Sequence, residues 1–528
     1  MTLDTFARLS AVGLYVAALL MIGMLAARRT RNMRDYFAGG KRLHFFSVAF
    51  SARATGESAW LLLGLTGFGA FVGAKGFWIV LGEVLGVGLG WLAMSRRFKR
   101  LTDRYDSITI PDYLESRFRD SGHWLRLIAA GTLVVFVPIY VSAQIHATGK
   151  AFGDFLGWNY YAGALFGFLV VLLYITRGGF IAVVWSDVFQ GLFMVGGLVA
   201  LPIVGIVVAG GVTPILEMLR ENYPTHLSIT EGKPWNAATL FSIIGLLGIG
   251  LGFLGSPQVF VRFISLKSER EINRGALVAI VWTILADGGA VVTGMIGRAL
   301  LEGQLGIDGE SVLPMLVDAY LPAFIAGLFI AVVLSATMST IDSLLVVASS
   351  AAVRDYYQRV FHPNASDERL MQLSRWFTLG LAVAALGIAI VVSLVTDKGG
   401  LFWFIIFGWS GIAATFCPTI ILSLFWSRMT ALGAKFGMLA GFVSIPIFKF
   451  VMPNLHTIFH AEADTLIGKT AATFDDLQEL APSFAVSSIV IIVVSLLDKA
   501  GAKRVVEVDS ELREVAGARD GHTESAIE

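Results

Sequence analysis

The stretch SARATGESAWLLLG, residues 51–64, lies inside an apolar run extending from about 44 to 70, yet it places Arg53, Gly56 and Glu57 within five positions. A plain membrane helix has no use for them, because intramembrane charge is costly and glycine weakens a helix. A second interruption occurs in GLLGIGLGFLGSPQVFVRF, residues 245–263, through Gly248, Gly250, Gly252, Gly255 and Pro257. Irregular backbone at membrane depth is tolerated where it is buried or lines a cavity, and its freed carbonyls can coordinate a cation. The other reading of any single glycine is close helix packing through small residues. Two breaks five apolar runs apart fit an architecture of two inverted five-helix repeats, each beginning with a discontinuous helix.

Composition sets the class. The chain has 528 residues, 56% of them hydrophobic and 15% charged, with a mean hydropathy of +0.73. That balance excludes a water-soluble globule and points to an all-α polytopic membrane protein. The single cysteine, Cys417, cannot form an intramolecular disulfide, and no Cys/His cluster suggests zinc. A bilayer needs about 20 apolar helical residues per crossing. About thirteen such runs are expected, near 8–27, 44–70, 76–95, 124–151, 158–176, 181–210, 238–265, 273–300, 320–352, 372–397, 400–426, 432–452 and 481–498. The first run begins after Asp4 and is about 20 residues long, which fits a retained span better than a signal peptide.

Basic residues orient these runs. Arg28, Arg29, Arg31, Arg34, Lys41 and Arg42 follow the first, and Arg96, Arg97, Lys99 and Arg100 follow the third. Those loops are expected on the cytoplasmic side. The segment 302–319 carries Glu302, Asp308, Glu310 and Asp318 without Lys or Arg, and 453–480 has only Lys469, so both are expected outside. Thirteen crossings then leave the N-terminus outside and the C-terminus cytoplasmic. The mixed-charge segment 501–528 is expected to be a flexible cytoplasmic tail, too short for an output domain.

Six ionisable residues fall near membrane depth: Arg53, Glu57, Glu83, Asp187, Asp287 and Asp342. Five acids and one base cannot all be satisfied by pairing, so cations, protons or water must make up the difference. Arg53 and Glu57 stand at i, i+4, where an intact helix brings them together. Either they form a structural pair, or the break turns one of them toward a solute. Glu83 and Asp287 read as hydrogen-bonding groups inside the bundle. In VLSATMSTIDSLLVVASSAAVRDYY, residues 333–357, Ser335, Ser339, Asp342 and Ser343 share one helical face. Membrane hydroxyls often serve only their own backbone or a neighbouring helix. With a carboxylate on the same face, and Asp187 from another run, they also make an oxygen set suited to a small hard cation.

Several blocks resemble the sodium:solute symporter family, most closely its sodium/proline symporter branch. They are FAGGKRL (37–43), SITIPDYLESRF (107–118), ITRGGFIAVVWSDVFQG (175–191), GLGFLGSP (250–257), SATMSTIDSLLVVASSAAVRDYY (335–357) and SRMTALGAKFGMLAGF (427–442). In the last block Arg428, Gly433, Ala434, Gly437 and Gly441 fit the family signature.

The resemblance spans about residues 10–500 and implies one symporter domain over 1–500. An extra N-terminal helix at 8–27 would precede a first repeat at 44–210, a second at 238–426 and two C-terminal helices at 432–498. It implies a sodium ion held by the carbonyls of Ala54, Glu57 and Ala336 and the hydroxyls of Ser339 and Thr340. A second sodium, found in some members, would engage Asp187, Ser339, Asp342 and Ser343. Tyr140, Trp60 and Pro257 match solute-site positions. The chain departs from the proline branch at Gly56, where that branch has an aspartate, and at Ile249 and Phe253, where it has a tryptophan and a tyrosine. Arg53 replaces a small residue there and suits a solute carboxylate, unless Glu57 or Asp287 holds it. Glu83 joins this solute-site set.

The function expected from these observations is sodium-coupled import of a small polar organic solute, an amino acid or other carboxylate, by alternating access in the cell membrane. It involves no bond-making chemistry and no nucleic acid, and a monomer suffices although an oligomer is compatible. A proton-coupled symporter of the same fold and a transporter-like nutrient sensor are the alternatives.

Overall fold

The computed structural model describes residues 2–28, 33–301, 303–304, 309–395, 400–462, 464–504 and 506–517. Among these the chain is helical, with one isolated parallel bridge between Leu43 and Leu266. Eleven stretches are long and apolar enough to cross a membrane by length and composition. That differs from the expected thirteen at two places. Trp60–Arg104 counts as one stretch, although the chain turns within it at Gly73, whose φ of 61° favours glycine. Tyr160–Leu173 is a shorter apolar helix, continuous in hydrogen bonding with the next helical segment across a kink at Gly179. The expected acidic positions Glu302 and Asp308, and Arg29 and Arg31 of the first basic loop, lie outside the described residues.

Both breaks are present. The Phe45–Gly56 helix stops where Glu57 turns to extended backbone (φ −83°, ψ 146°), and the chain resumes through a wide π-helical turn at Trp60–Leu65 before the Thr66–Val72 helix. Such turns cluster at functional sites. The second break runs from the Ala237–Gly248 helix through a tight 3-10 turn at Ile249–Leu254 to the Pro257–Ser265 helix, with Pro257 at its first turn. Proline suits that position because its missing N–H has no helical partner there. The glycines serve close approach: a side chain on Gly250 would collide with the backbone of Gly82 in the Phe77–Leu89 helix.

The broken helices lie at the centre of the bundle. The Phe45–Gly56 segment packs against the Tyr160–Val208, Ile272–Leu300, Ala323–Ser350 and Pro257–Ser265 helices. Leu3–Ala27 lies outside, against Tyr160–Val208 and Ala323–Ser350. Ala323–Ser350 is buried from Phe329 onward, Ser335, Ser339, Thr340 and Asp342 included, so its hydroxyl face points into protein.

The segment expected to be flexible from residue 501 is helical over Val506–Gly517. Val508, Leu512 and Val515 recur every three or four residues, making an apolar stripe that the charged composition conceals, and all three are buried. Arg104 reaches Glu514 at 2.6 Å, Tyr105 donates to Glu511 at 2.6 Å, and Arg119 reaches Glu511 at 2.9 Å. Residues 518–528 lie outside the described residues.

Candidate functional site

Breaking a helix frees backbone groups that must be satisfied elsewhere. At the first break the partners come from two other helices. Gln144, on the Trp124–Leu156 helix, accepts from the Ala59 N–H at 3.1 Å and donates to Ser58 Oγ at 3.2 Å. From Ala323–Ser350, the Ser339 hydroxyl lies 2.8 Å from the Ala54 carbonyl and 3.2 Å from that of Ala336. Thr340 Oγ1 donates to the Glu57 carbonyl at 2.9 Å and lies 3.3 Å from that of Thr55.

Of the residues expected around the first sodium ion, Ser339 thus reaches the carbonyls of Ala54 and Ala336 and Thr340 reaches that of Glu57, all five residues being buried. Two hydroxyl protons serve a larger number of converging oxygens. An excess of acceptor oxygen over protons is what a small hard cation requires, and the donor set fits sodium.

The side chains of the break form a separate cluster. Arg53 pairs with Glu57, and its Nη2 lies 3.7 Å from Glu83 Oε2 and 3.7 Å from Asp287 Oδ2. The guanidinium also faces the Phe253 ring at 4.6 Å and the Trp282 ring at 5.4 Å, contacts favourable to a cation. Arg53, Glu57, Glu83 and Asp287 are at most 1% exposed. Oxygens of the three acids lie within 4.8 Å of one another.

Arg53 thus stands among three acids rather than beside Glu57 alone. Its Nε and Nη1, both oxygens of Glu83 and both of Asp287 have no hydrogen-bond partner. The cluster thus offers unused donors and unused acceptors side by side in a buried interior, where each unsatisfied polar group costs about 1–3 kcal/mol.

Aromatic rings close this cluster. Phe253 lies over Gly56, whose missing side chain leaves room for the ring. Trp409, on the Leu401–Phe425 helix, packs at 4.9 Å from Phe253 and 6.5 Å from Tyr140. It donates from Nε1 to the Ile249 carbonyl at 3.0 Å, satisfying the second break. Trp60 Nε1 contacts the Gly56 carbonyl at 3.4 Å.

Gly56, Trp60, Glu83, Tyr140, Ile249 and Phe253 are thereby gathered around the two breaks. Pro257 does not join them; it lines a small separate cavity with Pro111, Leu133 and Val346. Trp409 and Trp282 escape sequence reasoning because an aromatic residue in an apolar run carries no mark that separates lining from packing.

Two of the residues expected at a second sodium ion, Asp187 and Ser343, meet a guanidinium. Asp187 Oδ2 is 2.8 Å from Arg262 Nη2 and accepts from Ser51 at 2.5 Å. The same Nη2 reaches Ser343 Oγ at 2.7 Å and also Thr55, while Arg262 Nε donates to Ser51 at 2.7 Å. Asp342 accepts from Ser343 at 3.2 Å and Ser186 at 3.4 Å. Asp187 and Ser343 do converge, but on a guanidinium, whereas Ser339 turns to the first site. Arg262 thus takes Asp187 Oδ2 and Ser343 Oγ, while Asp187 Oδ1 has no hydrogen-bond partner. Arg262 is fully buried. Its signal in the sequence was a basic residue three positions inside the end of an apolar run.

The chain has clear relatives. The pattern described as the Sodium:solute symporter family matches residues 36–441. The high-affinity proline transporter PutP of Bacillus subtilis is 35% identical over 492 residues, covering 93% of this chain and 98% of that protein. The sodium/proline symporter of Escherichia coli K12 is 31% identical over 516 residues, covering 96% and 97%. A solved structure of a Na+-coupled sialic acid symporter in a substrate-bound, outward-open state superposes with a TM-score of 0.75 at 20% identity, covering 93% of this chain and 97% of that one. That last likeness concerns the fold.

Proposed function

We propose, from the premise that this chain belongs to the sodium:solute symporter family, that it imports a small zwitterionic amino acid, with L-proline the first solute to test, together with sodium. It is a transporter and not an enzyme. The observation that carries the solute reading is the buried Arg53 cluster. Unpartnered guanidinium N–H groups suit a carboxylate, and unpartnered oxygens of Glu83 and Asp287 suit an ammonium group. A carboxylate alone would meet three acids around one arginine, whereas a zwitterion matches both signs. The relatives named as proline transporters support the same class.

Sodium at the Ala54, Glu57, Ala336, Ser339 and Thr340 oxygens would tie Ala323–Ser350 to the first break. Glu57 belongs to both places: its carbonyl meets Thr340 and its side chain meets Arg53. Ordering that residue by sodium would prepare the solute cluster, which is coupling by linkage. The driving force suffices, since one charge crossing 100 mV contributes about 2.3 kcal/mol. The basic loops support a cytoplasmic C-terminus and an N-terminus outside. A monomer carries the whole site.

The test is uptake of labelled L-proline and other amino acids into proteoliposomes. Accumulation driven by an inward sodium gradient, and abolished when choline replaces sodium, is the expected result. Absence of net uptake for every amino acid tried would sink the solute class. Uptake persisting without sodium under a pH gradient would replace sodium by protons as the coupling ion.

A further inference from the structure

We propose that the Val506–Gly517 helix is a strap that slows opening toward the cytoplasm, and that it acts through Arg100. This rests on the cytoplasmic C-terminus proposed above and holds whatever the solute. The strap lies on the Ser95–Arg104 helix, where Arg104, Tyr105 and Arg119 hold Glu514 and Glu511. Ser95–Arg104 is itself seated on the second broken helix. The Phe98 ring meets that of Phe260 edge-on at 5.1 Å, and Lys99 donates to the Ile264 carbonyl at 3.2 Å.

Arg100 joins these layers. Its Nη1 donates to the Val515 carbonyl at 2.7 Å. Val515 is in the last turn of the strap, where carbonyls lack helical partners and the helix end is negative. Nε and Nη2 meet the two oxygens of Glu269 at 2.5 and 3.1 Å, the two-pronged geometry that orients a guanidinium. Glu269 begins the turn that follows Pro257–Ser265. The strap thus holds a guanidinium that ties Ser95–Arg104 to the segment behind the second broken helix.

Alternating access needs the two repeats to rock against each other, and Ser95–Arg104 and Glu269 lie in the expected first and second repeats. A pair between them resists that motion, and the strap adds to the resistance by fixing Arg100. Its own hold is light. The side chains of Arg104 and Glu514 are 43% and 71% exposed, and exposed pairs contribute little. A helix of twelve residues is marginal once undocked. The strap therefore comes off and melts by local opening while the bundle stays folded, which is the behaviour of a regulatory element.

The experiment compares the full-length wild type with Leu512→Glu, which breaks the apolar stripe, Arg100→Gln, which cuts the tie to Glu269, and the two combined. Hydrogen exchange in nanodiscs is followed at Val506–Gly517 and at Pro257–Ser265. Uptake into proteoliposomes gives the maximal rate and KM for a transported amino acid, L-proline first. Leu512→Glu is expected to speed exchange at both segments and to raise the maximal rate by about twofold to fivefold, the factor that a few weak surface contacts supply, with KM little changed. Arg100→Gln is expected to give the same rise, and the combination no more than either, because both cut one route.

Faster exchange at Val506–Gly517 with Pro257–Ser265 and the maximal rate as in the wild type overturns the strap, as does a maximal rate that falls. Additive effects of Leu512→Glu and Arg100→Gln overturn its action through Arg100. Glu511→Gln with Glu514→Gln releases the strap with the stripe intact, and takes the place of Leu512→Glu if that protein fails to fold. No uptake by any of these proteins sinks the amino-acid reading instead, and exchange at Pro257–Ser265 still decides on the strap.

Discussion

Thr340 donates its hydroxyl to the backbone carbonyl of Glu57 at 2.9 Å, joining residues 283 positions apart. With Ser339 on Ala54 at 2.8 Å, it fastens the first break to the helix behind it. Removing both hydroxyls takes two oxygens from the proposed sodium site and removes these two donors from the carbonyls.

Ser339→Ala combined with Thr340→Ala is accordingly expected to raise the sodium concentration for half-maximal uptake. At about 1 kcal/mol per lost interaction the shift is about tenfold or more. Sodium-dependence curves in proteoliposomes measure it, and an unchanged midpoint refutes the ligand assignment.

Arg53→Ala leaves Glu57, Glu83 and Asp287 buried without their cation. Breaking a buried ion pair by removing one partner costs about 3–5 kcal/mol, so the melting temperature is expected to fall and uptake to vanish. Adding Glu57→Ala relieves part of the excess negative charge and is expected to recover part of the stability. No recovery would show that Arg53 does more than balance these acids.

Glu83→Gln and Asp287→Asn keep the shape of the cluster while removing charge. If these carboxylates hold the solute's ammonium group, each change weakens a charge-assisted contact worth about 1.5–3 kcal/mol. The half-saturating concentration of solute should rise by about tenfold to a hundredfold with the sodium midpoint little changed. Equal shifts in both midpoints would place the two acids with the ion instead.

Asp112 gives a pH test outside the spans. Burial alone would raise its carboxyl, but Arg126 at 2.7 Å, together with Arg354, holds it below the ordinary value. A carboxyl depressed by folding stabilises the protein above its unfolded pKa of about 3.9 and loses that contribution as pH falls through the folded value. Thermal stability is thus expected to decline below about pH 4. Asp112→Asn should be less stable at neutral pH and show a shallower acid decline. Parallel acid profiles for the two proteins would contradict this.

The breaks were legible because glycine, proline and charge are rare enough inside apolar runs to be conspicuous. The hydroxyl face of Ser335, Ser339 and Ser343 was legible from helical spacing. The destination of each charge was not. One arginine was counted against five acids, because Arg262 sits near the end of its run, where a basic residue reads as a cytoplasmic flank. Which acid meets which base depends on helix packing across more than a hundred residues, and spacing along the chain carries no record of it. The docked helix at Val506–Gly517 was hidden in a similar way, its apolar stripe diluted by the charges around it.

The single bridge at Leu43 and Leu266 has a mechanical meaning. Leu43 accepts from the Lys267 N–H and donates to the Ser265 carbonyl, both at 3.0 Å, and Glu271 accepts from the Phe45 N–H at 3.0 Å. The start of one half-helix is thereby latched to the end of another, and Arg262 rivets the same pair farther in. Phe45–Gly56 and Pro257–Ser265 are therefore joined at two depths, and the backbone leaves the α-helix next to that joint at Glu57 and at Ile249–Leu254.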